Sequence, residues 1–251
     1  MKQEEAVKVI TAHLMQDAYV KAVFLKGSMG RDEHDENSDV DLYCLVDEKG
    51  KEGFLENRKS HVEAYGKLLF YDEIFIVAPQ VLAVYDNMLH LDLFTVTDDT
   101  LIEKDYFKVL YDPENRMEKY NQHLTISAQE FIDSVDDTAF FLFQYEKSRR
   151  RGNAEWSVHM LHNVMVQFSK VLLHHYYPDR AQLGLKTVDA TFDYEKSNRI
   201  KEIFHNLTIE DYKIAATLIR NWLKEEESWI VKQLEDTLYT KEFLKRMIHG
   251  E

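Results

Sequence analysis

The spacing of apolar positions changes character about halfway along the chain. After an amphipathic opening helix (MKQEEAVKVITAHLMQD), the first half alternates with a period of two. VKAVFLKG (residues 20–27) and DVDLYCLV (residues 39–46) are rich in β-branched and aromatic residues and predict strands. Residues 50–65 predict a polar helix. KLLFYDEIFIV (67–77) and VLAVYDNMLHLDLFTVT (81–97) predict further strands, with Asp86-Asn87 as a hairpin turn. From about residue 125 the period is helical. Ser127 with Glu130 is a capping-box pattern and predicts a helix to about Arg151, where Gly152-Asn153 break it. WSVHMLHNVMVQFSKVLLHHYY predicts a second helix up to Pro178. A polar stretch follows; Thr208 to Asp211 then opens a third helix through Leu234, and KEFLKRMI forms a short last one. The expected fold class is α+β, a mixed-sheet head (residues 1–125) followed by a C-terminal helical bundle (residues 126–251).

The alternation also sorts side chains by face. In a strand, residues i and i+2 point the same way, about 6.5–7 Å apart. Asp39, Asp41 and Tyr43 therefore share one face, while Val40, Leu42 and Cys44 face a core. Two carboxylates so placed repel each other unless a cation lies between them. Magnesium, a hard ion that prefers oxygen, is the natural choice. Gly27-Ser28 ends the preceding strand with tight backbone approach, a hydroxyl and free amides, the groups that cradle phosphate oxygens. A phosphate site beside a magnesium site implies a nucleoside triphosphate. Asp92 adds a third carboxylate. Leu89, Leu91 and Leu93 point inward, which leaves Met88, His90, Asp92 and Phe94 on the other face. A carboxylate in so apolar a strand costs several kcal/mol unless it has a partner or a job. Beside the Asp39 strand it completes a triad able to hold two metals, or to take a proton from an attacking hydroxyl.

Composition narrows the classes. A chain of 251 residues carries a sizeable core in one large domain or two modest ones. A net charge of −14 argues against sequence-independent nucleic-acid binding, which needs a basic face. No apolar run reaches the roughly 20 residues that span a bilayer, so no membrane partner is expected. One cysteine, Cys44, excludes an internal disulfide and a cysteine zinc cluster, and it reads as a buried strand residue. The opening helix carries acids and is not read as a signal peptide, so a cytoplasmic location is expected.

Gly-Ser, ten residues, then Asp-x-Asp, with a lone carboxylate on a later strand, resembles the DNA polymerase β-type nucleotidyltransferase superfamily. Within it the chain is most similar to antibiotic (lincosamide and aminoglycoside) nucleotidyltransferases, particularly the larger lincosamide enzymes with a helical C-terminal domain. The stretches alike are Gly27–Val46, Tyr85-Asp86-Asn87 to Asp92-Leu93-Phe94, Leu110-Tyr111-Asp112 and the Arg151-Gly152 helix break. The resemblance implies that Gly27 and Ser28 contact the triphosphate. It implies that Asp39 and Asp41 bind Mg2+ and that Asp92 is a metal ligand, the catalytic base, or both. Arg31 stands where the superfamily often has a small or basic residue, although the DEHDE that follows is unusually acidic. Among the cations closing the first bundle helix, Lys147 is the candidate triphosphate contact. The implied activity is magnesium-dependent transfer of a nucleoside monophosphate, AMP from ATP, to a hydroxyl of a small molecule, and hence antibiotic resistance. The related antibiotic enzymes are often dimers, so a homodimer partner belongs to that expectation. A protein-adenylylating enzyme of antitoxin type and a catalytically silent nucleotide-binding module are the alternatives. The first is usually much shorter and lacks the helical domain; the second would show a lost carboxylate.

Other groups read as structural. His159 and His162 lack a third ligand and sit among Trp156, Met160 and Leu161, at a core edge. His174-His175-Tyr176-Tyr177 is a helix end that could line a substrate cleft. Glu225-Glu226-Glu227 reads as a solvated face.

Overall fold

Among the described residues six strands make one mixed sheet, with helices after the first and second strands, and every element after the sixth is helical. The structure, a computed structural model, describes residues 1–76, 78–234 and 237–250. Val77, at the end of one expected strand, lies outside the described residues. The chain divides into two units, Met1–His123 and Leu124–Glu251.

In the first unit the strands are β1 (Val20–Leu25), β2 (Val40–Val46), β3 (Leu68–Phe75), β4 (Pro79–Tyr85), β5 (His90–Val96) and β6 (Lys108–Tyr111). Their order is β3-β4-β5-β2-β1-β6. β2 and β5 run parallel, and the other neighbours run antiparallel. The turn between β4 and β5 falls on Asp86-Asn87 as expected, with Met88 in the left-handed region and the Asn87 side chain accepting from Leu89 N at 3.1 Å. β6, four residues long, was not expected; its pairing to β1 supplies an order that so short a segment does not announce.

The inward set follows the period-two pattern. Val40, Leu42, Cys44, Leu91 and Leu93 are fully buried. They pack under helix α1 (Lys2–Leu14), through Ala6, Ile10 and Leu14, and under helix α3 (Lys51–Glu63), through Phe54 and Val62. Each such aliphatic contributes about 1.5–3 kcal/mol of burial. The opposite face carries a smaller cluster of Ala22, Phe24, Leu45, Val96, Leu101 and Met117. Above it lies a ladder of rings, Phe24 on Tyr43 (5.3 Å) and Tyr43 on Phe94 (4.4 Å). The two acids of β2 and β5 stand on this second face.

The second unit is built on α4 (Ala128–Arg150) and α5 (Ala154–Tyr176), followed by a 3-10 segment (Pro178–Lys186), the single turn α6 (Val188–Thr191), α7 (Tyr194–His205), α8 (Tyr212–Gln233) and α9 (Leu238–His249). Ser127 does cap α4: its hydroxyl accepts from Glu130 N, and Glu130 accepts from Ser127 N at 2.9 Å. Gly152 closes it with φ +73°. Two expectations need correction. The polar stretch before Thr208 contains α7, capped by Asp193 and anchored through Ile200 and Ile203. The third long helix begins at Tyr212, with Thr208 forming only the turn ahead of it. A third correction falls on α8. Glu226 is buried, not solvated, and takes Tyr176 O–H at 2.6 Å and His175 Nδ1 at 2.8 Å. Cys44 is buried as expected.

Candidate active site

Local sequence fixes each side chain of the site in turn. Gly27 has φ +61°, a conformation that suits glycine. A Cβ built there would lie 2.0 Å from Asp41 Oδ2, so the missing side chain is what admits the Asp41 carboxylate. Lys26 N donates to Asp41 O at 3.0 Å and ties the end of β1 to β2. Ser28 follows in the short helix α2 (Gly27–Gly30).

Parallel pairing then does what the strand pattern alone could not. It sets Asp41 opposite Asp92, and Tyr43 opposite Phe94, in register. Asp39 stands exposed at the head of β2, Asp41 is half-buried, and Asp92 is buried. Asp92 is held by Gln80 of β4, whose amide donates to Oδ1 at 2.8 Å. Gln80 was not a sequence candidate, and only the β4–β5 register places it there. Its bond meets part of the desolvation cost of the buried carboxylate.

His90 was also missed as a site residue. Its Nε2 lies 3.3 Å from Asp92 Oδ1, and its Nδ1 lies 3.9 Å from Asp39 Oδ2. One ligand atom each from Asp39, His90 and Asp92 fall within 4.8 Å of one another, the group among the described residues spaced to hold a cation. The strand alternation already put His90 on the face of Asp92; what it could not show was that Asp39 lies across the gap. The donor set of two carboxylates, a neighbouring third in Asp41 and one imidazole fits a divalent cation.

The surroundings are arranged for charge. Burial pushes the Tyr43 hydroxyl well above its ordinary range, and Asp41, Asp105 and Asp92 add to the effect. Lys26, beside Gly27, is buried; its Nζ donates to the carbonyls of Ile102 (2.8 Å) and Lys104 (2.9 Å) and stands over the Tyr43 ring. Burial lowers its pKa against the pull of Asp105. Arg31 donates to Glu33 at 2.9 Å and Asp105 at 2.6 Å, so the acidic loop engages the guanidinium expected near phosphate. Glu73, another carboxylate of the sheet, is held by Arg58 at 2.5 Å and by Tyr71 O–H, on the outermost strand β3.

Lys147 belongs to the second unit. It is exposed over the Phe143 ring and lines a cavity of about 470 Å³ with Glu146, Arg149, Arg150, Arg220 and Arg246. Glu146 there binds both Arg149 (2.8 Å) and Arg220 (2.7 Å), which hold its pKa down against burial. His159 and His162 are exposed, against Trp156 and Phe204 respectively.

Residues 8–120 match the family model described as a nucleotidyltransferase domain. Among solved structures, an aminoglycoside 6-adenyltransferase from Bacillus subtilis is similar at 12% identity and a TM-score of 0.41, covering 100% of this chain and 98% of that one. A nucleotidyltransferase-like protein from Exiguobacterium sibiricum 255-15 matches at 10% identity and a TM-score of 0.39, over 93% of this chain and 78% of that one. A STING-associated CdnE c-di-GMP synthase from Capnocytophaga granulosa matches at 16% identity and a TM-score of 0.35, over 99% and 77%. No curated protein sequence matches. Among the described residues no helix is long and apolar enough to cross a membrane. The matched stretch spans Gly27, Ser28, Asp39, Asp41, His90 and Asp92, so every residue of the candidate site lies in the part of the chain that is similar to a nucleotidyltransferase domain.

Proposed function

We propose that the protein is a metal-dependent nucleotidyltransferase that moves AMP from ATP to a hydroxyl of a small molecule. The observation that carries this reading is the meeting of Asp39, His90 and Asp92 on one sheet face, with Asp41 in register with Asp92 and seated against the Gly27-Ser28 turn that makes room for it. Asp39, Asp41 and Asp92, with His90, would hold the cation, Mg2+ in the first instance. When bound, such an ion neutralises triphosphate charge and polarises phosphorus–oxygen bonds.

The chain's own groups do the rest. The Ser28 hydroxyl and the backbone of the α2 turn orient phosphate oxygens. Asp92, buried and steadied by Gln80, accepts the proton of the acceptor hydroxyl. The acceptor oxygen bonds to the α-phosphorus, the bond to the bridging oxygen breaks, and pyrophosphate leaves. A net charge of −14 suits an amine-bearing acceptor such as an aminoglycoside or lincosamide.

Purified protein with labelled ATP, Mg2+ and a panel of aminoglycosides and lincosamides should give a labelled adenylylated product. Asp39→Asn should abolish that turnover without lowering the melting temperature. Asp92→Asn should cut it by roughly 10²–10⁴-fold, the usual worth of a general base. Retention of most activity in Asp39→Asn would remove the cation site from the mechanism.

A further inference from the structure

Two acids and a histidine that meet on a solvent-open strand face differ chemically from an all-carboxylate site. An ion holds oxygen and nitrogen donors at about 2.0–2.2 Å, so donors on one ion lie at most about 4.4 Å apart. Asp39, His90 and Asp92 reach within 4.8 Å of one another, so a contraction of roughly half an ångström would seat an ion. The imidazole already stands between the two carboxylates, with one nitrogen facing each. Its side chain is 39% exposed, open to an ion arriving from solvent. Asp92 is the opposite, buried and fixed by Gln80, so the pair offers one rigid donor and one accessible donor.

We infer that His90 is a direct cation ligand and biases this site toward a first-row transition ion, Mn2+, over Mg2+. The inference rests on the reading above only in taking this cluster as a cation site, not on the transfer reaction. The reason is donor chemistry. Mg2+ keeps an oxygen shell and surrenders water reluctantly, whereas imidazole favours transition ions. Mn2+ also accepts carboxylate and water oxygens, which matches Asp39 and Asp92 and leaves positions for phosphate oxygens.

The test uses the full chain, stripped of metal and titrated with Mn2+ alone. Pulsed electron paramagnetic resonance should show nitrogen-14 coupling to Mn2+ in the wild type and none in His90→Ala. Calorimetry should give a Mn2+ affinity at least about tenfold above that for Mg2+, falling by about tenfold in His90→Ala while Mg2+ affinity stays nearly unchanged. His90→Asp, which exchanges nitrogen for oxygen, should bind both ions with the preference erased, and it keeps the test sound if the alanine variant folds poorly. Mn2+ bound without nitrogen coupling, or with equal affinity in wild type and His90→Ala, overturns the inference. Transfer activity is scored separately. An enzyme that adenylylates an acceptor but shows no nitrogen coupling loses only His90 as a ligand. Nitrogen coupling without transfer to any acceptor leaves the ligand and removes the transferase reading.

Discussion

At the scale of single residues, the most exacting position is Gly27, which contributes only the absence of a side chain. Alanine there must adopt φ +61° and place a methyl 2.0 Å from Asp41 Oδ2, so the carboxylate has to move. Gly27→Ala should cost about 1–3 kcal/mol for the backbone conformation. It should also weaken cation binding, because Asp41 no longer lies where β2 puts it. A urea titration and a Mg2+ or Mn2+ titration on the same variant check the two effects. Cation affinity at the wild-type level would place Asp41 outside the site. Gly27, Asp39, Asp41 and Asp92 were all legible in the sequence, because a strand's period of two assigns faces without any knowledge of partners. His90 and Gln80 were not. Alternation puts His90 beside Asp92, but only the β2–β5 pairing brings Asp39 to its other side, and only the β4–β5 register brings Gln80 to Asp92.

At the scale of elements, local signals were read well and long-range ones poorly. The capping box at Ser127 and the break at Gly152 are decided within four residues, and both stand where expected. α7 escaped notice because its apolar stripe is two isoleucines among charged residues, and only its packing makes it a helix. Glu226 looked like one of three solvated acids, and burial against His175 and Tyr176 depends on α5 lying alongside. A similar hidden polar link joins α1 to α3 in the head. His13 Nδ1 and His61 Nδ1 lie 2.8 Å apart, and His61 Nε2 lies 2.9 Å from Asp17 Oδ2. Burial lowers the His61 pKa, despite the opposing pull of Asp17. Below the unfolded value of about 6.5 the unfolded chain therefore takes up a proton that the folded chain resists, and stability falls. Burial also works against ionised Asp17, but hydrogen bonds from Tyr19 N, His61 and Asn57 outweigh it and hold its pKa below the ordinary range. The stability that Asp17 contributes is present above about pH 4 and is lost as pH falls through its lowered folded value. His61→Gln should thus flatten the decline of the urea midpoint between pH 7 and pH 5 while leaving the loss below pH 4. An unchanged slope between pH 7 and pH 5 would show that His61 titrates equally in both states.

At the scale of the whole molecule, the apolar clusters respect the division at residue 123. The clusters under α1 and α3 and under Leu101 and Met117 draw only on the first unit, and the cluster of α4, α5 and α8 draws only on the second. A stretch of 123 residues is long enough to bury a core of its own. Gly27, Asp39, Asp41, His90 and Asp92 all lie within it, as does Gln80, which steadies Asp92. A fragment of residues 1–123 should therefore unfold cooperatively in urea and bind Mn2+ with nearly the affinity of the full chain. Lys147, the triphosphate contact expected from the sequence, lies in the other unit, so the fragment should lose transfer to every acceptor. Phe70, Phe75 and Ile76 are exposed on or just after the outer strand β3 in the intact chain, so association through that edge should appear in both forms and serves as the control. Circular dichroism, calorimetry with Mn2+ and the labelled-ATP assay on the fragment make the comparison. A fragment that binds the cation but does not transfer assigns the cation to the head and makes the helical unit necessary for transfer. One that collects as aggregate while the full chain stays monomeric shows that the head needs the helical unit to fold.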